Sequence, residues 1–292
     1  MPPFAYHRPE SVDEALSLLG NHGGEAKVLA GGQSLLPLLA MRLAHPGHLV
    51  DIGDITELDS VSTEDDGTVV MGAGVRHSRA EESKEIAQRA PLVAGAMPFI
   101  GHRAIRNRGT VCGSLAHADP AAELPAVAVA VDAELVVRRS SGERRVAAGD
   151  FFVGYLTSDL AEDELLTAVR FPAWPARAGW SVQEMSRRHG DFAVIGVVAV
   201  VVLDPDGAVE RAALSFFGAG ERPVRVGEAE DLLVGQRPEE ALLADAGKLV
   251  ADRLQPSGDN HGSGPYRSHV AGVLTRRSLA EATQRAQGKE AA

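Results

Sequence analysis

The order of the hydrophobic patterns along the chain constrains its fold more than any other feature. Short alternating or β-branched segments separated by turn residues come first, and they end in the nearly continuous apolar run Ala193–Leu203. Helical patterns follow at Glu228–Val234 and Glu239–Leu254, with a longer one from Tyr266 to about Gln284. Runs of strands followed by runs of helices are typical of α+β proteins, whereas a doubly wound sheet requires alternation. The sequence therefore predicts an α+β fold.

A proline-rich segment divides the chain. Pro172–Ala176 contains two prolines, which resist both a helix and a strand ladder. After it, the strand patterns Ser181–Arg187, Ala193–Leu203 and Val209–Phe217 predict a three-stranded antiparallel meander. We therefore expect one domain over residues 1–175, with lobes of about 1–55 and 56–175, and a C-terminal domain over residues 178–286.

The single cysteine, Cys112, limits the chemistry of the chain. One thiol excludes an internal disulfide and a cysteine-based structural zinc site. An iron–sulfur cluster normally takes four thiolates, so this chain cannot hold one alone. Because no base stands beside Cys112 in the sequence, a small buried residue is favoured over a nucleophile. Any redox chemistry must use an organic cofactor or a metal of another subunit.

Charge and hydropathy argue against two kinds of partner. The chain has 29 basic and 40 acidic residues, and 29 − 40 gives a net charge of −11. Such a chain lacks the basic surface that binds nucleic acid. The longest apolar run, Phe192–Leu203, has 12 residues, whereas a membrane helix needs about 20. The segment Met1–Ser11 has no apolar core of the signal-peptide kind, so we expect a cytoplasmic protein.

The segment Leu29–Leu36 carries a tight turn after a predicted strand. Gly31 and Gly32 allow the backbone to approach a ligand without Cβ contact, and consecutive amides in such a turn suit pyrophosphate oxygens. Gln33 and Ser34 add side-chain donors. The segment is neither a P-loop nor a G-x-G-x-x-G motif, and a strand-to-helix turn without a ligand is the alternative interpretation.

A second dense cluster of small and polar residues runs over 109–125. Its hydroxyl groups, on Thr110 and Ser114, and its carboxylates, on Asp119 and Glu123, can point to one place if a helix starts after Asp119. Taken alone, Asp119 is typical of a helix cap. His117, two residues before Asp119, is either a proton donor or a structural residue. No metal-ligand spacing or nucleophile elbow occurs, so we predict no catalytic residue and no metal ligand.

Four motifs in order resemble the FAD-binding medium subunits of molybdenum hydroxylases, the relatives of carbon monoxide, xanthine and nicotine dehydrogenases. They are AGGQSLLPLL from residue 30, GTVCGSLAHADPAAELP from residue 109, the segment Arg187–Ala193, and the segment Tyr266–Arg277. The resemblance covers nearly the whole chain. It implies a two-lobed FAD-binding domain of the PCMH type, followed by a C-terminal domain with a three-stranded sheet and helices.

The resemblance also implies a set of FAD-binding residues. The first loop would surround the pyrophosphate, the turn at 100–101 would approach the flavin, and the second loop would hold the opposite side. An acidic residue would accept a hydrogen bond from the cofactor, and an apolar residue of a later strand would lie near the ring. The residues are Leu29, Ala30, Gly31, Gly32, Gln33, Ser34, Leu35, Leu36, Ile100, Gly101, Thr110, Gly113, Ser114, Ala116, Asp119, Glu123, Leu165 and Leu166.

Two positions depart from the family pattern. Cys112 stands where the family has the first glycine of T-x-G-G, which predicts a thiol near the flavin. Gln183 and Glu184 stand where xanthine dehydrogenase-like members carry a lysine. Without that positive charge, the anionic reduced flavin is expected to be less favoured.

The function that the resemblance implies is electron transfer by bound FAD. A molybdopterin-containing large subunit would hydroxylate the substrate, a 2Fe-2S small subunit would relay electrons, and this chain would pass them to an external acceptor, in a dimer of heterotrimers. Two alternatives are a stand-alone FAD-dependent oxidoreductase and a structural subunit whose FAD site is vacant. The sequence identifies neither the hydroxylated substrate nor the final acceptor.

Overall fold

The computed structural model describes residues 3–289; Met1, Pro2 and 290–292 lie outside the described residues. The first lobe is a three-stranded parallel sheet in the strand order β1-β3-β2, with helix α1 packed against β2 and β3. Its elements are β1 Ala5–His7, α1 Val12–His22, β2 Ala26–Leu29, α2 Leu35–Ala40 and β3 His48–Asp51.

Helix α1 illustrates why these residues form these elements. Ser11 Oγ accepts a hydrogen bond from the Glu14 amide at 3.2 Å, which satisfies one of the free donors at the helix start. The stripe of Val12, Ala15, Leu16 and Leu19 is buried against the sheet. Gly23 ends the helix with φ +50°, a conformation that favours glycine.

The second lobe is built on a five-stranded antiparallel sheet in the order β4-β5-β10-β6-β7, with short helices on it. Residues 172–177, which follow its last strand, carry neither helix nor strand, as expected for a segment with two prolines. The elements are β4 Val61–Thr63, β5 Val69–Gly72, α3 His77–Glu82, α4 Lys84–Arg89, α5 Pro91–Ala96, α6 Arg103–Arg106, α7 Val111–His117, α8 Glu123–Ala130, β6 Glu134–Arg139, β7 Gly142–Ala147, α9 Ala148–Phe151, β8 Phe152–Gly154, β9 Thr157–Ser158 and β10 Leu165–Phe171.

The C-terminal part contains the antiparallel meander and the helices that the sequence predicts. A fourth strand of two residues, which the pattern was too short to indicate, pairs with the end of the third. The elements are β11 Ala178–Met185, β12 Ile195–Leu203, β13 Val209–Phe217, β14 Val224–Arg225, α10 Gly227–Leu233, α11 Glu240–Arg253 and α12 Gly264–Ala286. The α+β prediction is confirmed.

Strand β12 is buried along its whole length because both of its faces are covered. Residues such as Val197 and Val201 belong to a core shared with α10, α11 and α12, whereas Val198 and Val200 belong to the core of the preceding lobe. The meander is therefore the layer that joins the two parts. Among residues 3–289, no helix is both long enough and apolar enough to cross a membrane.

Close backbone approaches fix this junction. The ring of Trp180 lies against Gly95 of α5, where a Cβ atom would overlap it. The guanidinium of Arg285 lies over the same indole ring, 4.0 Å from its centroid, in a cation–π contact. The Gly218 amide donates to the Pro120 carbonyl at 2.7 Å. The loop before α8 is thereby held by the C-terminal sheet.

Candidate functional site

The first glycine-rich segment follows β2 and packs directly on the second. A Cβ atom at Gly31 would overlap the carbonyl oxygen of Arg108 and would lie 2.7 Å from the Cα of Gly109. Gly32 has φ +72°, in the left-handed region that side chains rarely adopt. Both glycines are therefore required by geometry, Gly31 by contact with the neighbouring segment and Gly32 by its backbone conformation.

The second segment forms the start of helix α7. Thr110 Oγ1 accepts a hydrogen bond from the Gly113 amide at 3.0 Å and caps the helix. A Cβ atom at Gly113 would lie 3.7 Å from the Cβ of Ala30, so the two predicted loops meet. Gly113, Ser114 and Ala116 are half-buried, while the opposite side of the helix is buried. The small residues thus share the face that remains open.

Cys112 lies on the buried side of α7. Its side chain is 2% exposed, and Sγ is 3.8 Å from the Met71 carbonyl oxygen of β5. Burial raises the pKa of the thiol, which keeps it protonated. The predicted buried role is confirmed, and the thiol points into the core rather than to the open face that carries Gly113 and Ser114.

The turn at Ile100 and Gly101 is held by an arginine that the sequence did not single out. Arg106 donates to the Ile100 and Gly101 carbonyl oxygens at 3.2 and 2.9 Å. The Arg106 side chain is itself nearly buried and forms an ion pair with Glu81 at 2.7 Å. Gly101 has φ +49°. A Cβ atom at Gly190, in the third motif, would overlap the ring of His102, so this motif lies against the turn.

Asp119 forms a local turn instead of capping helix α8. Its Oδ1 accepts a hydrogen bond from the Ala121 amide at 2.8 Å, while α8 begins at Glu123 after Ala122, without a side-chain cap. The helix-cap interpretation of Asp119 is therefore wrong, because Asp119 lies too early in the chain.

His117 lies close to Asp119. Burial lowers the pKa of His117, the charge of Asp119 raises it by a smaller amount, and the charge of Lys27 lowers it further. That shift disfavours a proton-donor role at neutral pH.

Two carboxyl groups, on α8 and on strand β11, are close enough for one to act on the pKa of the other; that of Glu123 is buried and that of Glu184 is half-buried. Glu123 is 7% exposed, and burial raises its pKa to about 7, with a further contribution from Asp119. Burial, and then Glu123, raise the pKa of Glu184 to about 8. Among the described residues, none donates a hydrogen bond to the buried Oε2 of Glu184. This place can hold a proton at neutral pH.

Two predicted pairs of consecutive residues lie in strands, so the two members of each pair point to opposite faces of a sheet. Gln183 and Glu184 are consecutive in β11 and point to opposite faces, and Gln183 donates to Glu281 of α12 at 3.1 Å. Only Glu184 therefore faces the predicted site. Leu165 and Leu166 are both 3% exposed and are consecutive in β10, whose neighbours include α7. At most one of these two leucines can contact a ligand on a given face.

A cleft of about 250 Å³ opens beside the first loop. Leu29, Ala30, Gly31, Gly32 and Leu36 of the predicted set line it. The guanidinium of Arg76, which donates to the Arg108 carbonyl, adds positive charge, and Arg8 is paired with Asp54. Backbone amides with guanidinium groups suit a diphosphate. Sequence reasoning missed the remaining lining residues, which are Tyr6, Arg8, Asp51, Gly53, Asp54, Arg76 and Arg108. Only Arg108 could have been suspected from the sequence, because it directly precedes the second motif.

Comparisons with protein families agree with this architecture. The family described as "FAD binding domain in molybdopterin dehydrogenase" matches residues 2–174. A second, described as "CO dehydrogenase flavoprotein C-terminal domain", matches residues 180–282.

Individual relatives match over nearly their whole length. The 6-hydroxypseudooxynicotine dehydrogenase complex subunit alpha of Paenarthrobacter nicotinovorans is 40% identical to this chain. The alignment covers 98% of this chain and 96% of that protein. For the carbon monoxide dehydrogenase medium chain of Hydrogenophaga pseudoflava, the identity is 36%, with 95% and 96% covered. A solved structure of carbon monoxide dehydrogenase from Hydrogenophaga pseudoflava superposes with a TM-score of 0.94 at 36% identity, covering 97% of this chain and 98% of that one.

Proposed function

Because this chain belongs to the family of FAD-binding medium subunits of molybdenum hydroxylases, we propose that it accepts electrons from a 2Fe-2S subunit and passes them to an external acceptor. It is a flavoprotein oxidoreductase subunit, and FAD is its cofactor. Bound FAD supplies the electron storage, and the residues of the chain supply binding and orientation.

The contact between the two glycine-rich segments is the observation that carries the proposal. Gly31 lets the first segment pack on the backbone of the second, and Gly32 lets it turn; both glycines line one cleft together with Arg76 and Arg108. A doubly charged diphosphate fits amides and guanidinium groups of this kind. The residues present therefore suit FAD, and Leu29–Leu36 would hold its diphosphate.

The remaining predicted residues take roles that follow from their places. The open face of α7, with Thr110, Gly113, Ser114 and Ala116, would lie on the other side of the cofactor. Ile100 and Gly101 would approach the flavin, and one of Leu165 and Leu166 would contact it. Asp119 and Glu123 would accept hydrogen bonds from the cofactor. Because the pKa of Glu123 is raised to about 7, Glu123 would accept when ionised and donate when protonated.

The division of labour follows from the single cysteine. A chain with one buried thiol cannot form an iron–sulfur cluster alone, so a cluster that relays electrons to its FAD would belong to another subunit. Homologues are medium chains of multi-subunit molybdenum hydroxylases. We place this chain with a 2Fe-2S small subunit and a molybdopterin-containing large subunit, as a dimer of heterotrimers in the cytoplasm. Its domains would span residues 1–175 and 178–286.

The test compares the chain alone with the assembled complex. Both preparations are loaded with FAD and mixed anaerobically with a panel of substrates, while the visible flavin absorption is followed. The panel includes nicotine, caffeine and quinoline, after which three similar enzymes are named. Dithionite, a chemical reductant, serves as the positive control and should bleach both. A substrate should bleach the flavin only in the complex with both partner subunits.

Each alternative has its own signature in this experiment. Bleaching by a substrate in the chain alone would replace the proposal with a stand-alone FAD-dependent oxidoreductase. A purified chain that is folded but colourless, and that stays so after incubation with FAD, would indicate a structural subunit with a vacant site.

A further inference from the structure

Three histidines from three separate elements meet on the first lobe. His7 ends strand β1, His22 ends helix α1, and His48 begins strand β3. In the parallel pairing of β1 with β3, Ala5 lies opposite His48, so His7 is two residues further along and on the same face of the sheet. Helix α1 packs on this sheet and brings His22 to the same place.

The cluster is distinct from the candidate FAD site. His48 pairs with Ala26 at the start of β2, whereas the glycine-rich loop follows Leu29 at the other end of that strand. Three residues at about 3.3 Å each separate the two ends by about 10 Å. Nothing in the proposed electron transfer uses these three side chains.

The distances suit a shared metal ion. One ring nitrogen from each of His7, His22 and His48 lies within 4.8 Å of the others, and His7 Nε2 is 2.9 Å from His48 Nδ1. Two nitrogen ligands of a tetrahedral zinc ion are about 3.3 Å apart, given Zn–N distances of about 2.0–2.1 Å. Replacing the hydrogen bond between His7 and His48 by two metal bonds therefore requires only a small separation of the rings.

The third ligand requires a rotation. The ring of His22 stacks on that of His48, with centroids 3.6 Å apart and an angle of 14° between the planes. In this arrangement its nitrogen does not point at a common centre. His22 is half-buried at the last residue of α1, so its ring can turn about its own side-chain bonds.

The ligand set determines the class of ion. Neutral imidazole nitrogens suit zinc, copper, nickel and cobalt, whereas magnesium and calcium prefer oxygen ligands. The three side chains are half-buried, which leaves room for water as a fourth ligand. The carboxylate of Glu25 lies beside Gly47, the residue before His48, and contributes a nearby negative charge.

We propose that His7, His22 and His48 form a binding site for a divalent transition-metal ion of the zinc type, which would tie the end of α1 to strands β1 and β3. The metal would be structural, because Tyr6, which lines the candidate FAD cleft, lies next to His7 in β1 and therefore points to the opposite face of the sheet. The alternative is a stack of imidazoles held by one hydrogen bond, without affinity for metal.

The experiment titrates the FAD-loaded, chelator-treated chain with Zn²⁺ alone by calorimetry, and with Co²⁺ while its visible spectrum is recorded. We expect one equivalent of Zn²⁺ to bind, the melting temperature to rise, and Co²⁺ to give the absorption of nitrogen coordination. His48→Ala and His22→Gln should each weaken binding by about 100-fold, as expected for the loss of roughly 2.7 kcal/mol. His22→Gln, at a helix end, has little risk of misfolding.

The matched control is His45→Ala, an exposed histidine three residues before His48. It should bind Zn²⁺ as the unchanged chain does, and the flavin absorption should be the same with and without the ion. The proposal is overturned if the unchanged chain binds no equivalent of Zn²⁺, if folded His48→Ala and His22→Gln both retain full affinity, or if His45→Ala loses as much affinity as they do.

Discussion

The two ends of the candidate site are built from different kinds of interaction. Where Gly31 meets Arg108 and Gly109, backbone packs on backbone, and the shape depends on missing side chains. Near Glu123 and Glu184, a buried and a half-buried carboxyl group interact, and within residues 3–289 no cation is among the groups that act on their pKa values. Steric fit therefore determines the shape of the first end, and the protonation state of two carboxyl groups determines the charge of the second. Substitutions should separate them, by loss of FAD at one end and by pH dependence at the other.

The largest effect is expected from Gly31→Ala. The added methyl group would overlap the Arg108 carbonyl and push the two loops apart. Overpacking of this kind typically destabilises a protein by about 1–3 kcal/mol. Both the free energy of unfolding and FAD affinity should fall, the latter by roughly two orders of magnitude or more. Urea denaturation and bound-flavin absorption measure these effects. Gly149→Ala, where the new methyl group meets open space at a helical position that favours alanine, should lower neither; a stable, fully yellow Gly31→Ala protein would contradict the proposed contact.

Gly32→Val should affect FAD more than the fold. The new Cβ atom would lie 3.0 Å from Leu36 Cδ1 and 3.2 Å from Leu29 Cδ1, two flexible side-chain ends that line the cleft, so a larger side chain would displace them there. Losing two charge-assisted hydrogen bonds of roughly 1.5–3 kcal/mol each weakens binding by about two to four orders of magnitude. The protein should purify colourless, with unchanged far-UV circular dichroism.

Gly207→Val is the matched control for that substitution. Gly207 also has a positive φ, +83°, but a Cβ atom there meets open space in a turn far along the chain. It should reproduce the backbone strain without loss of flavin. Full FAD occupancy in a folded Gly32→Val protein would show that the loop does not bind the diphosphate.

The carboxyl end should appear as a pH dependence of stability. The pKa values of Glu123 and Glu184, about 7 and about 8, exceed the 4.5 of an ordinary glutamate. The folded chain therefore binds more protons than the unfolded chain between about pH 4.5 and 8, and the free energy of unfolding falls as the pH rises through this range. The shift of Glu123 alone corresponds to about 3 kcal/mol.

The double variant Glu123→Gln/Glu184→Gln should flatten this slope, as measured by urea denaturation at about pH 5 and about pH 8. Neutral amides cannot lose a proton, so the penalty at high pH disappears. Glu143→Gln, at an exposed position in β7, should keep the slope of the unchanged chain. An equal slope in the double variant would assign the pH dependence to other groups.

The smallest effect is expected from Cys112→Gly, which restores the glycine of the family pattern. A glycine inside helix α7 costs about 1 kcal/mol and also removes a buried side chain, so stability should fall by about 1–2 kcal/mol. Because the thiol points away from the open face, FAD affinity should stay within about two-fold, an energy difference below 0.5 kcal/mol. A marked change in flavin affinity or reduction potential would place Cys112 nearer to the flavin than its contact with Met71 indicates.

Much of the architecture could be predicted because it depends on local patterns. The apolar run Ala193–Leu203 indicated a fully buried strand, and two prolines indicated a break before residue 178. The tight turn at Gly31-Gly32 was likewise visible, since only glycine fits such a backbone. The prediction for Asp119 was wrong for a local reason as well: an Asx turn and a helix cap use the same side chain, and only the start of α8 distinguishes them.

By itself, the sequence determined the order of strands and helices, the two glycine-rich segments and the absence of a cluster-forming set of cysteines. Only the tertiary structure decided which sides of α7 and β11 face the site, and with them the positions of Cys112 and Glu184. It alone brought His7, His22 and His48 together. The physical reason is that hydrophobic periodicity and turn chemistry act over a few residues, whereas these placements depend on packing between distant segments, for which the sequence carries no local signal.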